Sequence, residues 1–275
     1  HAKLEHREQT LRNGHRAGAE MNLQSIRDQL DLERRTLPPD GYAIEVLPLV
    51  TRITSPDGVS NSILFSSLTD ENADNVIAKQ AAHYRALGVE VEWKVYLHDK
   101  PADLRRRLAA HGFEPGPLEA VLVLDFNDRP KWMDESKHNV IRVETPDQVD
   151  LFRKAATEIF QKNYAFTARE LLAGIQSGSR QQLGYIALDG DTPASVGRLY
   201  THPQSVFGGL YGGGTLATHR GRGLYRSVVA ARARDAAKMD AKYLIVDALP
   251  TSRPILEKLG FEKLTETWPC VLRPR

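Results

Sequence analysis

The stretch Leu210-Tyr211-Gly212-Gly213-Gly214-Thr215-Leu216-Ala217-Thr218-His219-Arg220-Gly221-Arg222-Gly223-Leu224-Tyr225-Arg226 decides the fold. It begins inside a β-type run, Val206 to Ala217, and ends inside a helical one. Leu224, Val228 and Ala231 recur at i, i+4 and i+7 between about Gly223 and Met239. Glycines between a strand and a helix let the main chain turn so that several N–H groups point into one hollow. The helix N-terminus adds a partial positive charge at the same place. Arg220, Arg222 and Arg226 add full charges. The segment therefore predicts an anion site sized for the two phosphates of a pyrophosphate. The plainer alternative is a basic helix start exposed to water, and the strand-to-helix context weighs against it.

Downstream of the loop the pattern predicts a strand at Tyr243–Ala248, a helix at Ser252–Leu259 and a closing strand pair from Phe261 to Leu272. Upstream come strands at Leu183–Leu188 and Ala194–Thr201. Before them lie a looser helical stretch from Asn163 to Ile175, a helix capped by Thr145 with Pro146 in its first turn, and a short strand at Val140–Val143. Asp128–Lys137 reads as a linker. The earlier part repeats the theme. Tyr42–Thr54 and Val59–Ser66 form a hairpin about Ser55-Pro56-Asp57-Gly58. A helix from about Glu71 to Leu87, a strand at Val89–Leu97, a helix at Pro101–His111 and a strand at Glu119–Phe126 follow. Residues 1–36 are polar and charged. Leu23, Ile26 and Leu30 give them one helical face that ends at Leu37-Pro38-Pro39.

The two halves match one another at a displacement of 148 residues, without gaps. Lys94, Asp99, Arg105 and Leu108 fall on Lys242, Asp247, Arg253 and Leu256. Gly112-Phe113-Glu114 falls on Gly260-Phe261-Glu262, and Val123-Leu124 on Val271-Leu272. This reads as a tandem duplication. The repeat breaks at the loop: Arg220-Gly221-Arg222-Gly223 corresponds to Asn72-Ala73-Asp74-Asn75, which has no glycine and carries an acid. Only the second copy is built for an anion.

Composition removes other classes. At 275 residues the chain suits one large domain or two medium ones, and 41% hydrophobic with 26% charged residues is globular, not disordered. Apolar runs are strand-sized, which argues against a membrane span. The one cysteine, Cys270, cannot form an internal disulfide, and no neighbour suggests an activated nucleophile. The nine histidines lack His-x-x-x-His spacing, so no metal site is expected. A net charge of +2 gives no reason to expect nucleic acid or a membrane surface as partner. No signal-peptide pattern is visible, and a reduced, cytoplasmic protein is expected.

A Walker loop requires Gly-Lys-Ser/Thr, which is absent. A dinucleotide fingerprint requires a third glycine where Arg226 stands, and should come early in a longer βαβ series. Arg220-x-x-Gly223-x-Tyr225 instead resembles the acyl-CoA pyrophosphate signature of the GNAT superfamily of N-acetyltransferases, Gln/Arg-x-x-Gly-x-Gly/Ala. Ile255-Leu256-Glu257-Lys258-Leu259-Gly260-Phe261 is similar to that family's closing helix and Leu-Gly-Phe junction. The resemblance covers residues 140–275, and residues 42–126 look like a second, degenerate copy. It implies a mixed-sheet α/β fold of two tandem GNAT-like halves: a helical extension over 1–36, a degenerate domain over 37–130 and an acetyl-CoA domain over 138–275.

The resemblance further implies acetyl-CoA as co-substrate, held by Leu216, Ala217, Thr218, Arg220, Gly221, Arg222, Gly223, Leu224, Tyr225 and Arg226. Pantetheine would run between splayed fourth and fifth strands. The acetyl group would pass directly to a primary amine of a small molecule or peptide in a ternary complex. An alkylammonium has a pKa near 10.4, so a proton must leave first. Asp247 is the leading carboxylate, although Asp99 in the repeat suggests a shared structural role instead. Many relatives carry a proton-donating tyrosine on the closing helix; here that position is Leu256, and Tyr211 is the substitute donor. Tyr164, Phe166 and Glu170 lie where relatives shape the acceptor site. Leu256 equally suits a catalytically silent acyl-CoA-binding module.

Overall fold

A computed structural model describes residues 22–274. The first helix, α1 (Leu23–Thr36), is capped by Asn22, whose side chain accepts from the Ser25 amide, and it buries Ile26 and Leu30. It stops at Leu37, ahead of the prolines that disfavour helical backbone before them. Then come β1 (Ala43–Val46), β2 (Val50–Thr54), β3 (Asn61–Ser66), α2 (Ala73–Leu87), β4 (Val91–Tyr96), α3 (Leu104–Ala110), β5 (Glu114–Pro115) and β6 (Glu119–Asp125). The second half has β7 (Val140–Arg142), α4 (Pro146–Phe160), α5 (Ala165–Ser177), β8 (Gln182–Asp189), β9 (Thr192–Tyr200), β10 (Phe207–Thr215), α6 (Leu224–Lys238), β11 (Tyr243–Ala248), α7 (Arg253–Lys258) and β12 (Glu262–Leu272). A reciprocal capping box between Thr145 and Gln148 starts α4, with Pro146 at its first position.

These strands form one mixed α/β sheet, in the order β1-β2-β3-β4-β12-β6-β11-β10-β9-β8-β7, with β5 beside β12. Alternation divides its faces. Ala120, Leu122 and Leu124 of β6 pack with Val228 of α6 and Leu256 of α7. Trp93 and Cys270 join α2 and α3 on that same face. Val121 and Val123 turn the other way, onto Ile26 and Leu30 of α1, and Ile186 and Val196 meet α4 and α5 there.

The last strands of the two halves are exchanged. β6, from the first half, pairs antiparallel with β11, Tyr243 opposite Asp125 through Ala248 opposite Ala120. β12, from the second half, lies between β6 and β4 and pairs with no strand of its own half among the described residues. The first half therefore supplies strands within reach of the second half's loop.

Several local expectations change. The run Tyr42–Thr54 is two strands, because Pro48 cannot donate to a ladder and the chain folds at 47–49. The expected closing strand pair is one 11-residue strand, with a register shift between Lys263 and Thr265. The presumed linker is packed: Trp132 and Met133 are buried, and Trp132 Nε1 donates to Leu259 O at 2.8 Å. Gly112 and Gly260, equivalent in the internal match, both end helices at positive φ, +95° and +91°. Asp99 and Asp247 do not coincide. Asp99 is buried in the turn after β4, accepting from the Tyr96 amide and pairing with Arg34, whereas Asp247 lies within β11. Residues 1–21 of the expected N-terminal extension lie outside the described residues.

Candidate functional site

Strands β10 and β11 run parallel for only three pairs, Phe207–Tyr243 to Gly209–Ile245, and then separate. Beyond that point β10 follows β9, with a register shift between Tyr211 and Gly214 and φ +52° at Gly212. A short 3-10 turn, Ala217–His219, leads to Gly221 (φ +78°) and Gly223 (φ +90°), the residue before α6. Only glycine enters this region of backbone space cheaply, which explains the two glycines in four residues. A Cβ at Gly221 would meet nothing within 4 Å, and at Gly223 only His138 Nε2 at 3.8 Å. The bend is open. Its amides from Gly221 to Arg226 donate to no main-chain carbonyl among the described residues, as expected at a helix start.

The bend forms the wall of a cleft of about 640 Å³. Gly213, Gly214 and Thr215 of β10 line it, with Arg220, Gly221, Gly223, Leu224, Tyr225 and Arg226 from the loop and helix. Ile159 and Phe160 of α4, and Leu249, Thr251, Ser252 and Ile255 near α7, also line it. The expected loop residues do not all face this cleft. Arg222 turns away: Nη1 pairs with Asp189 Oδ2 at 2.7 Å, and its carbonyl accepts from His138 at 2.8 Å. The main chain of Leu216 is engaged, its N–H to Ala194 O and its carbonyl to the His219 amide. Ala217 and Thr218 are exposed, and their amides donate to no main-chain carbonyl among the described residues.

A second cleft, about 360 Å³, opens between the separated strands. Tyr225, Gly213, Phe160, Leu249 and Ser252 line both. Asp247 lies in the second, with Glu92 and Lys94 of β4 and Glu119 of β6. Lys94 Nζ sits 3.0 Å from Asp247 and 2.9 Å from Glu119. These two carboxylates hold the Lys94 ammonium well above its ordinary pKa despite burial. For Glu92 burial outweighs the nearby Lys94 charge, and the neighbouring carboxylates add to it, so its carboxyl is pushed up. Tyr211 also lines this cleft. It is 46% exposed, to the cavity, yet enclosed enough that desolvation and the Asp247 charge push its phenol up to about 12. It is protonated at neutral pH and able to donate. Its ring packs edge-on against Tyr200 at 4.9 Å.

Tyr164, Phe166 and Glu170 line neither cleft. Glu170 instead accepts from the Tyr42 hydroxyl at 3.0 Å, tying α5 to the first half. Sequence reasoning missed Glu92, Lys94, Glu119, Phe160 and Arg232. Two ionisable residues at alternate positions of an otherwise apolar β4 were a signal for the first pair. Arg232, inside the Val- and Ala-rich face of α6, was another.

Comparison with known proteins agrees with this fold. The family model described as "FR47-like protein" matches residues 186–269, from β8 through most of β12. No curated protein sequence matches the chain. Among solved structures, a GCN5-related N-acetyltransferase from Kribbella flavida is 11% identical with a TM-score of 0.64, covering 90% of this chain and 93% of its own. A tandem GNAT protein from the clavulanic acid biosynthesis pathway is 12% identical with a TM-score of 0.57, covering 93% and 95%. A GCN5-related N-acetyltransferase from Sphaerobacter thermophilus is 11% identical with a TM-score of 0.55, covering 84% and 82%. The chain therefore has the fold of the GCN5-related N-acetyltransferases. Among the described residues no group of three or more His, Cys, Asp or Glu is placed to hold a metal, and no helix is long and apolar enough to cross a membrane.

Proposed function

We propose that the chain is an acyl-CoA-dependent N-acyltransferase that moves an acetyl group to a primary amine of a small molecule or peptide. One observation carries the reading: an open bend of unpaired amides leads along a cleft to a carboxylate-lined gap between diverging strands. Free N–H groups and Arg220 and Arg226 suit a diphosphate, and the strand gap suits a narrow pantetheine arm. Acetyl-CoA would supply the activated acyl thioester. The protein's own work is to bring amine and thioester together, which is worth several orders of magnitude in rate. Glu92 and Asp247 attract the ammonium into the second cleft and accept its proton. Glu92 suits the second task, because burial raises its pKa.

The first half is read as a degenerate copy without coenzyme. At the position of the loop, Asp74 occupies the first turn of α2 and pairs with Arg107 at 2.6 Å. A carboxylate there repels phosphate. Calorimetry should give one CoA per chain, and CoA release should appear with at least one of a panel of primary amines. Two CoA per chain would contradict the first statement. CoA binding with no turnover across the panel would favour the silent acyl-CoA-binding module, the reading that Leu256 at the usual tyrosine position also suits.

A further inference from the structure

The two clefts meet at Tyr225. Beneath it, one helical stripe further on, lies Arg232, only 1% exposed. Its Nε donates to Val228 O at 3.3 Å, and its Nη1 to Arg198 O at 3.1 Å and Tyr211 O at 3.5 Å. Nη2 has no partner. The ionisable groups that face it are Tyr225 on its own helix, Tyr185 of β8 and Arg198 of β9, and no carboxylate pairs with it among the described residues. A buried guanidinium with no carboxylate beside it is costly, and such groups concentrate at functional sites. Its surroundings are visible at Gly213, in the register shift of β10. A methyl group built there would lie 3.0 Å from Tyr225 Cε2, 3.6 Å from its hydroxyl and 3.2 Å from Arg232 Nη2. The bare glycine leaves phenol and guanidinium side by side at the point where the coenzyme cleft enters the carboxylate cleft.

We infer that Tyr225 is the proton donor to the sulfur that leaves the acyl group, and that Arg232 is the positioning residue that carries the resulting charge through Tyr225. This rests on the coenzyme reading above. The amine nitrogen forms the new C–N bond as the C–S bond breaks, and the bonding pair passes to sulfur. The Tyr225 O–H proton moves to that sulfur. Arg232 stabilises the phenolate until water in the open cleft reprotonates it. The proton lost by the amine departs through Glu92 or Asp247. Burial keeps the phenol protonated beforehand, while the Arg232 charge pulls its pKa the other way. That combination suits a donor which must release a proton during each turnover and recover it afterwards.

The test uses the full chain with CoA itself as probe, and it needs no acceptor. Ultraviolet absorbance of the bound thiolate is titrated against pH, with CoA affinity followed by calorimetry. In the wild-type protein the bound thiol should ionise at lower pH than the thiol of free CoA titrated alongside it. Tyr225→Phe should move that titration upward by about one to two pH units, the worth of a hydrogen bond to a charged group. Gly213→Ala, which crowds the same ring without removing it, should also shift it upward. Arg232→Met should shift it in the wild-type background and not in the Tyr225→Phe background, a non-additivity that a purely structural arginine would not show. Identical thiol titrations in wild type and Tyr225→Phe, with CoA bound in both, would overturn the assignment and leave the coenzyme reading standing. A wild-type protein that binds no CoA would remove the coenzyme reading and this one together.

Discussion

Replacing Gly223 with valine isolates the backbone's share of coenzyme binding. The residue sits at φ +90° and ψ 1° as the last residue before α6, with nothing nearer than His138 Nε2 at 3.8 Å, so a side chain has room. The whole penalty is conformational. A β-branched residue held at that φ costs about 1–3 kcal/mol. The chain either keeps the strain or relieves it by rotating the peptide units of the bend, whose amides are free of main-chain acceptors among the described residues. Each amide–phosphate hydrogen bond is worth about 1.5–3 kcal/mol, because one partner is charged. Losing two amounts to about 3–6 kcal/mol, on the order of 10²- to 10⁴-fold in CoA affinity. Gly58→Val is the matched control. Gly58 lies at φ +73° with open space around it, in the distant β2–β3 turn. Both variants should melt lower, by about 2–4 °C for each kcal/mol of strain in a chain of this size. Calorimetric titration with CoA then separates them: a collapse of affinity for Gly223→Val and none for Gly58→Val. Equal CoA affinity in all three proteins would refute the assignment of the bend as the diphosphate site.

Arg220→Ala should weaken CoA binding and flatten its salt dependence more than Arg222→Ala does, since Arg222 is spent on Asp189; a larger effect at Arg222 in calorimetry at two salt concentrations would contradict this. Glu92→Gln should raise the melting temperature at pH 7 and change it little at pH 4. A carboxyl whose folded pKa is raised binds its proton more tightly in the folded state, so its charged form destabilises as pH climbs past the unfolded value of about 4.3; equal shifts at both pH values would count against that. Cys270 is fully buried between β4 and β5, and burial pushes its thiol up to about 11. Iodoacetamide at pH 8 should leave it unmodified in the folded protein and alkylate it in denaturant, read by mass spectrometry.

The bend and its helix were legible because they are local. Glycine spacing, an arginine pair and a switch from β to helical periodicity within seventeen residues define them, and β11, predicted at Tyr243–Ala248, has those bounds. Strand pairing across the sheet was not legible. Pattern alone gives no register between segments some 150 residues apart, so Phe261–Leu272 read as a local strand pair when it is one strand whose partners include β4 and β6. The same blindness hid Glu92 and Glu119. They reach the second cleft only because β4 and β6 lie close to β11 in the folded sheet, which the sequence match between halves did not indicate. Asp247 lines the second cleft, but its counterpart was misjudged: the internal match set it against Asp99, a buried turn residue tied to Arg34.

The crossing of β6 and β12 also governs how such a chain is made. During synthesis β4 emerges with its neighbour-to-be still about 170 residues away, and it waits as a bare edge until that strand has left the ribosome. Neither half closes its own sheet, so a stop codon ahead of β12 would strip a strand from the early half, and excising the early half would leave β11 without β6. The two halves are bound to fold, and to fail, together.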